Sequence, residues 1–194
     1  MSALDDYLMQ KRVALQWVKQ ETAAESYRPL PLRAHVTAEG RSGVRRIRVR
    51  DFQVITDSLP SFAGNDLGPS SPELALGALG SCLTHSWLIQ AAAHNVPVDS
   101  LEVEVTGQLD SRGSLLGVEG VPVYPQVLAF TVTIASSASQ DQIAELHRAV
   151  DRACPILNLL RRPQQIEGRV VHVAADACAP AAASPQPVSA EGVP

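Results

Sequence analysis

Hydrophobic positions recur along this chain in two rhythms, one close to helical and one alternating, and turn residues mark where one gives way to the other. Residues 3–26 carry Leu4, Leu8, Leu15 and Val18 at roughly helical spacing, with Glu, Lys and Gln between them. This predicts an exposed helix, ended by Pro29 and Pro31, that acts as a packing or dimer-covering arm. The rhythm then shortens. Residues 32–38 alternate, Gly40-Arg41-Ser42-Gly43 supplies a turn, and residues 44–50 and 52–56 give two further strand-like runs. Turn signals on each side of these runs predict an antiparallel meander.

Residues 57–72 form a loop rich in Gly, Pro, Ser and Asp, and it closes on Ser70-Ser71-Pro72-Glu73. A Ser followed by Pro in the first turn and Glu three residues on is the pattern of a capping box. The stretch from Leu74 to Ala93 is the least polar in the chain and predicts a buried helix, closed by Asn95 and Pro97. Residues 101–109 alternate again, with Leu101, Val103 and Val105 inward and Glu102 and Glu104 outward. A Gly-rich connection over 111–124 leads to a strand over 127–134, an amphipathic helix over 141–152, a break at Pro155, a short helix over 156–160 and a last strand over 170–173. Residues 179–194, rich in Ala, Pro, Ser and Gly, are expected to be disordered. Strands interrupted by one very apolar helix predict an α+β fold rather than a doubly wound sheet. The domain division that follows is an N-terminal helical extension (1–30), one domain (31–176) and an Ala/Pro-rich tail (177–194).

Charge narrows the partners. The formal net charge is −4, with no global basic excess to suggest nucleic acid or an anionic membrane. Asp5, Asp6, Lys11 and Arg12 occupy the place where the apolar core of a secretory leader would lie. The Leu74–Ala93 stretch contains Cys82, His85 and Gln90 and lacks flanking Lys or Arg, so it reads as a core helix and not as a membrane span. Three cysteines without an export signal point to a reducing, cytoplasmic setting.

Cys82 stands in mid-helix behind Gly77, Ala78, Gly80 and Ser81, whose small side chains allow another backbone or helix to approach. Taken alone it reads as a buried structural thiol. His85, three residues on, shares its face roughly. A zinc site would need two more ligands, and His35, His94, His147 and His172 are scattered, so no metal or other cofactor is expected. Cys154 precedes Pro155 at the helix break, where the dipole of the following helix favours thiolate. Cys178 is given no role. Glu73 reads first as the capping-box acid, Arg41 as a solvated turn residue, and Arg45, Arg46, Arg48 and Arg50 as a charged strand surface.

Gly68-Pro69-Ser70-Ser71-Pro72-Glu73-Leu74, followed by Leu79-Gly80-Ser81-Cys82-Leu83, resembles the helix signature of the osmotically inducible protein C and organic hydroperoxide resistance (OsmC/Ohr) superfamily. Residues 101–110 are similar to the strand after that helix, and Cys154-Pro155 to the second-cysteine motif. Glu73 stands nine residues before Cys82, a spacing that resembles the broad OsmC-like branch, although many members of that branch lack the second cysteine.

The resemblance implies an OsmC-like fold: an intertwined homodimer with antiparallel sheets wrapped around a long central apolar helix. It also implies thiol peroxidase chemistry, with Cys82 as nucleophile, Cys154 as resolving thiol, and Glu73 holding an arginine from an early strand or turn, best matched by Arg41. The substrate would be a small-molecule peroxide, organic hydroperoxides included, and the reductant a dithiol of the lipoyl type. In such chemistry a thiolate attacks one peroxide oxygen and is left as sulfenic acid, which a second thiol converts to a disulfide. Two other readings stand beside it. One is a hydrolase or acyl transferase using Cys82 and His85, and the other a non-catalytic ligand-binding dimer of the same fold.

Overall fold

A computed structural model describes residues 3–174. The elements run α1 (Ala3–Ala23), β1 (His35–Glu39), β2 (Val44–Val49), β3 (Phe52–Thr56), a 3-10 turn (Pro60–Phe62), α2 (Ser71–His94), β4 (Ser100–Gln108), α3 (Ser111–Leu116), β5 (Gln126–Ala135), α4 (Gln140–Ala153) and α5 (Pro155–Arg161). Among the described residues all sheet pairing is antiparallel, so the fold is α+β as the pattern predicts: β1, β2 and β3 form one meander, and β4 and β5 pair with each other.

The long helix α2 forms where its caps are written. The Ser70 side chain accepts from the Glu73 N–H, and the Glu73 carboxylate accepts from the Ser70 N–H at 2.7 Å. Asn95 ends the helix in the left-handed region, at φ 64°, with its N–H donating to Ala91. The inner face of α2 carries Leu79, Leu83, Trp87 and Ala91, all buried. These pack with Leu146 and Val150 of α4, Leu157 of α5, Val96 and Val98 beyond α2, and Leu8 of α1. In the β4–β5 pair, Leu101, Val103 and Val105 lie opposite Ile134, Val132 and Phe130, and all six pack against that core. At Gly80 α2 runs close to β4: a Cβ there would stand 3.3 Å from Val105 Cγ2.

The β1–β3 meander is different. Val36, Ile47 and Val54 lie side by side across it, yet Val36 is 52% exposed and Phe52 64%. Its strands pack chiefly on one another. At its end the buried Asp57 accepts from the N–H groups of Asn65 (2.9 Å) and Leu67 (3.2 Å) and folds the loop that leads into α2.

Most predicted elements stand within a few residues of their expected ends, with three differences. The Gly-rich connection holds α3, started by Asp110, whose side chain accepts from the Arg112 N–H. The first strand begins at His35 rather than residue 32, beyond Pro29 and Pro31. Residues 170–173 are not a strand. A strand exists through its ladder, and a short apolar run without a hydrogen-bonded neighbour stays irregular however strong its propensity. The 177–194 tail and Cys178 lie outside the described residues. Among those described, no helix is long and apolar enough to cross a membrane.

Candidate functional site

Cys82 and Cys154 meet. Cys82 rides on α2, half-buried, while Cys154 is fully buried in the one-residue gap between α4 and α5. Their sulfurs are 3.5 Å apart. The gap exists because Pro155 has no N–H to continue α4 and favours an extended residue before it. Cys154 takes that conformation, at φ −69° and ψ 115°. Its N–H still closes α4 on Val150 (2.8 Å), and Asn158 Nδ2 donates to the Asp151 and Cys154 carbonyls (3.0 and 2.9 Å), which pins the break. A disulfide needs about 2.05 Å between sulfurs, so bonding requires a closure of roughly 1.5 Å.

Burial pushes the Cys82 thiol up, and the neighbouring Cys154 adds to the shift. The Ile156 N–H and the Ser86 hydroxyl act the other way, by hydrogen bonds that favour the thiolate. The sequence points the start of the short helix at Cys154. The fold aims the N–H of Ile156, in the first turn of α5, at Cys82 instead. Ser86, buried one turn beyond Cys82, went unrecognised in the sequence, although its i+4 spacing places it on the same helix face.

His85 is engaged elsewhere. Its Nε2 lies 3.0 Å from Lys11 Nζ, and an ammonium can only donate, so that nitrogen is the acceptor of a neutral ring. Burial first, and Lys11 second, hold its pKa below the ordinary histidine value. With Nε2 occupied, His85 is poorly placed to act as a base on Cys82, which argues against the hydrolase reading.

Glu73 accepts from both the N–H and the hydroxyl of Ser70, each at 2.7 Å, and those bonds hold its carboxyl below the usual range. It lines a groove of about 450 Å³ along α2 with Gly77, Gly80, Ser81 and Thr84, faced by Val103 and Val105. Arg41 occupies the exposed β1–β2 turn between Gly40 and Gly43, and no ion pair joins it to Glu73 among the described residues. Of its neighbours, Arg46 pairs with Glu39 and Arg45 donates to Ser58 Oγ at 3.2 Å. One chain thus unites the two sulfurs and leaves the carboxylate and the guanidinium apart. Among the described residues no group of three or more His, Cys, Asp or Glu could hold a metal ion.

Residues 64–168 match the OsmC family, described as OsmC-like protein. No curated protein matches the chain. Solved structures share its fold at low identity. An OsmC-like protein from Mycoplasma pneumoniae aligns with TM-score 0.60 and 18% identity over 69% of this chain and 89% of its own. A protein from Psychrobacter arcticus, described as a putative osmotic stress induced and detoxification response protein, aligns at 0.54 and 15% over 69% and 90%. An organic hydroperoxide resistance protein OsmC from Legionella pneumophila aligns at 0.51 and 13% over 70% and 92%.

Proposed function

The chain belongs to the OsmC-like protein family, and on that premise we propose that it is a thiol peroxidase that reduces organic hydroperoxides through Cys82 and Cys154. The observation that carries this reading is the 3.5 Å separation of the two sulfurs. The Cys82 thiolate attacks the distal oxygen of ROOH, the O–O bond breaks, ROH leaves after protonation, and Cys82 becomes sulfenic acid. The Cys154 thiol then displaces water from that sulfenic acid and forms the Cys82–Cys154 disulfide. A dithiol reductant, of the lipoyl type by family resemblance, returns both cysteines to thiols by exchange. The chemistry belongs to a reducing compartment, the cytoplasm.

The rest of the reading concerns activation and assembly. Burial raises the Cys82 thiol, so the thiolate needs a cation that the described residues of one chain do not bring to it. In our reading Arg41 supplies it within an intertwined homodimer, held by the ionised Glu73 through a bidentate contact. Two features support a second copy: the exposed apolar face of the β1–β3 meander, and the uncovered stripe of Gly77, Ala78 and Ser81 on α2. The catalytic domain spans 31–176, with α1 in an N-terminal extension (1–30) and the 177–194 tail outside it.

One equivalent of cumene hydroperoxide should consume two thiols and yield a Cys82–Cys154 disulfide, leaving Cys178 free. Cys154→Ser should stop at a sulfenic acid that dimedone traps, and Cys82→Ser should not react at a comparable rate. Recovery of both thiols reduced after prolonged peroxide exposure would favour the non-catalytic dimer.

A further inference from the structure

A second cavity, of about 450 Å³, opens between α2, β5 and α4, and neither cysteine lines it. Its walls include Trp87, Phe130, Val132, Ile134 and Ile143, with His147 beside them. The volume lies in the range typical of small-molecule sites, roughly 300–1,000 Å³. Trp87 is 3% exposed, and its indole N–H finds no acceptor among the described residues. A buried donor left unpaired is a standing cost that an acceptor from a ligand would remove. The exposed His147 ring stacks on Trp87, with centroids 5.7 Å apart and planes at 25°, and Phe130 meets His147 edge-on at 6.3 Å. The indole N–H itself is buried, so a ligand reaches it only when His147 rotates away from the Trp87 ring.

We propose that this cavity binds a flat, neutral aromatic carbonyl compound of one or two fused rings, whose carbonyl oxygen accepts from the Trp87 indole N–H. Flatness follows from the stacked and edge-on rings. Neutrality follows from the lining, which among the described residues holds no Asp, Glu, Lys or Arg to supply a counter-charge for a buried ion. The acceptor follows from the unpaired donor. This site is separate from the sulfur pair and does not depend on the peroxidase reading.

The test uses full-length protein carrying Trp17→Phe, at an exposed α1 position, so that Trp87 gives the only indole N–H resonance. Coumarin, a neutral bicyclic lactone, should shift that resonance saturably in a ¹⁵N–¹H spectrum. Naphthalene, of similar shape without an acceptor, should bind about tenfold more weakly, the effect of one lost hydrogen bond. Ala144→Phe, which fills the cavity from an exposed position on α4 without adding an indole, should abolish the coumarin shift and leave cumene hydroperoxide reduction unchanged. An indole resonance that coumarin does not move, or moves equally in Ala144→Phe, would overturn the proposal.

Discussion

The Lys11 ammonium lies 3.0 Å from His85 Nε2 and ties the N-terminal helix to α2 one turn beyond Cys82. The contact selects the neutral imidazole. A histidine whose folded pKa is depressed contributes fully above its unfolded value, near 6.5, and loses that contribution as pH falls through it toward the folded value. Thermal unfolding between pH 7.5 and 5 should therefore show a falling midpoint in wild type and a flatter curve in His85→Gln. Lys11→Ala should lie between them, since burial, the larger cause, remains. Equal slopes in wild type and His85→Gln would remove His85 from the account.

Ser86 should matter to Cys82, the proposed nucleophile, by tuning its ionisation. Its hydroxyl stabilises the Cys82 thiolate. Ser86→Ala should slow alkylation of Cys82 at neutral pH by roughly 3- to 10-fold, the worth of one hydrogen bond of about 0.5–1.5 kcal/mol. The pH profile of the reaction should move upward, a change that a merely structural role would not produce.

Arg41 should act on the same profile more strongly. Arg41→Ala should slow hydroperoxide reduction by on the order of 10²-fold, the size expected for one preorganised charge donor. The profile should also move to higher pH, because a cation near sulfur lowers its pKa. Stopped-flow rates equal to wild type would turn attention to Arg45, Arg46, Arg48 and Arg50 in turn.

Gly80 and Gly77 separate the fold from the assembly. A Cβ at Gly80 meets Val105 of β4, whereas one at Gly77 meets nothing within 4 Å in the single chain. Gly80→Leu should destabilise the chain by about 1–3 kcal/mol through overpacking, measured by urea unfolding. Gly77→Leu should leave the chain folded and shift its mass toward monomer in light scattering, because it crowds the stripe assigned to a second copy. A Gly77→Leu protein of unchanged mass would remove this stripe from the proposed dimer contact.

Local patterns wrote much of this molecule. Ser70 and Glu73 start α2 and Asn95 ends it through bonds within one or two turns, so a few adjacent residues suffice to specify them. The alternation of Leu101, Val103 and Val105 already states which face of β4 is inside. Pro155 announces the gap that holds Cys154, because a missing N–H is a property of the residue itself. What lies close to what across long stretches of chain is another matter. The approach of the two sulfurs, the aim of the Ile156 N–H at Cys82, the engagement of His85 by Lys11 and the irregular state of 170–173 all depend on partners distant in sequence. Those partners are set by how the helices and sheets pack, and no local pattern of side chains encodes them. Before the fold, family resemblance alone linked the cysteines, and only packing could put one sulfur beside the other.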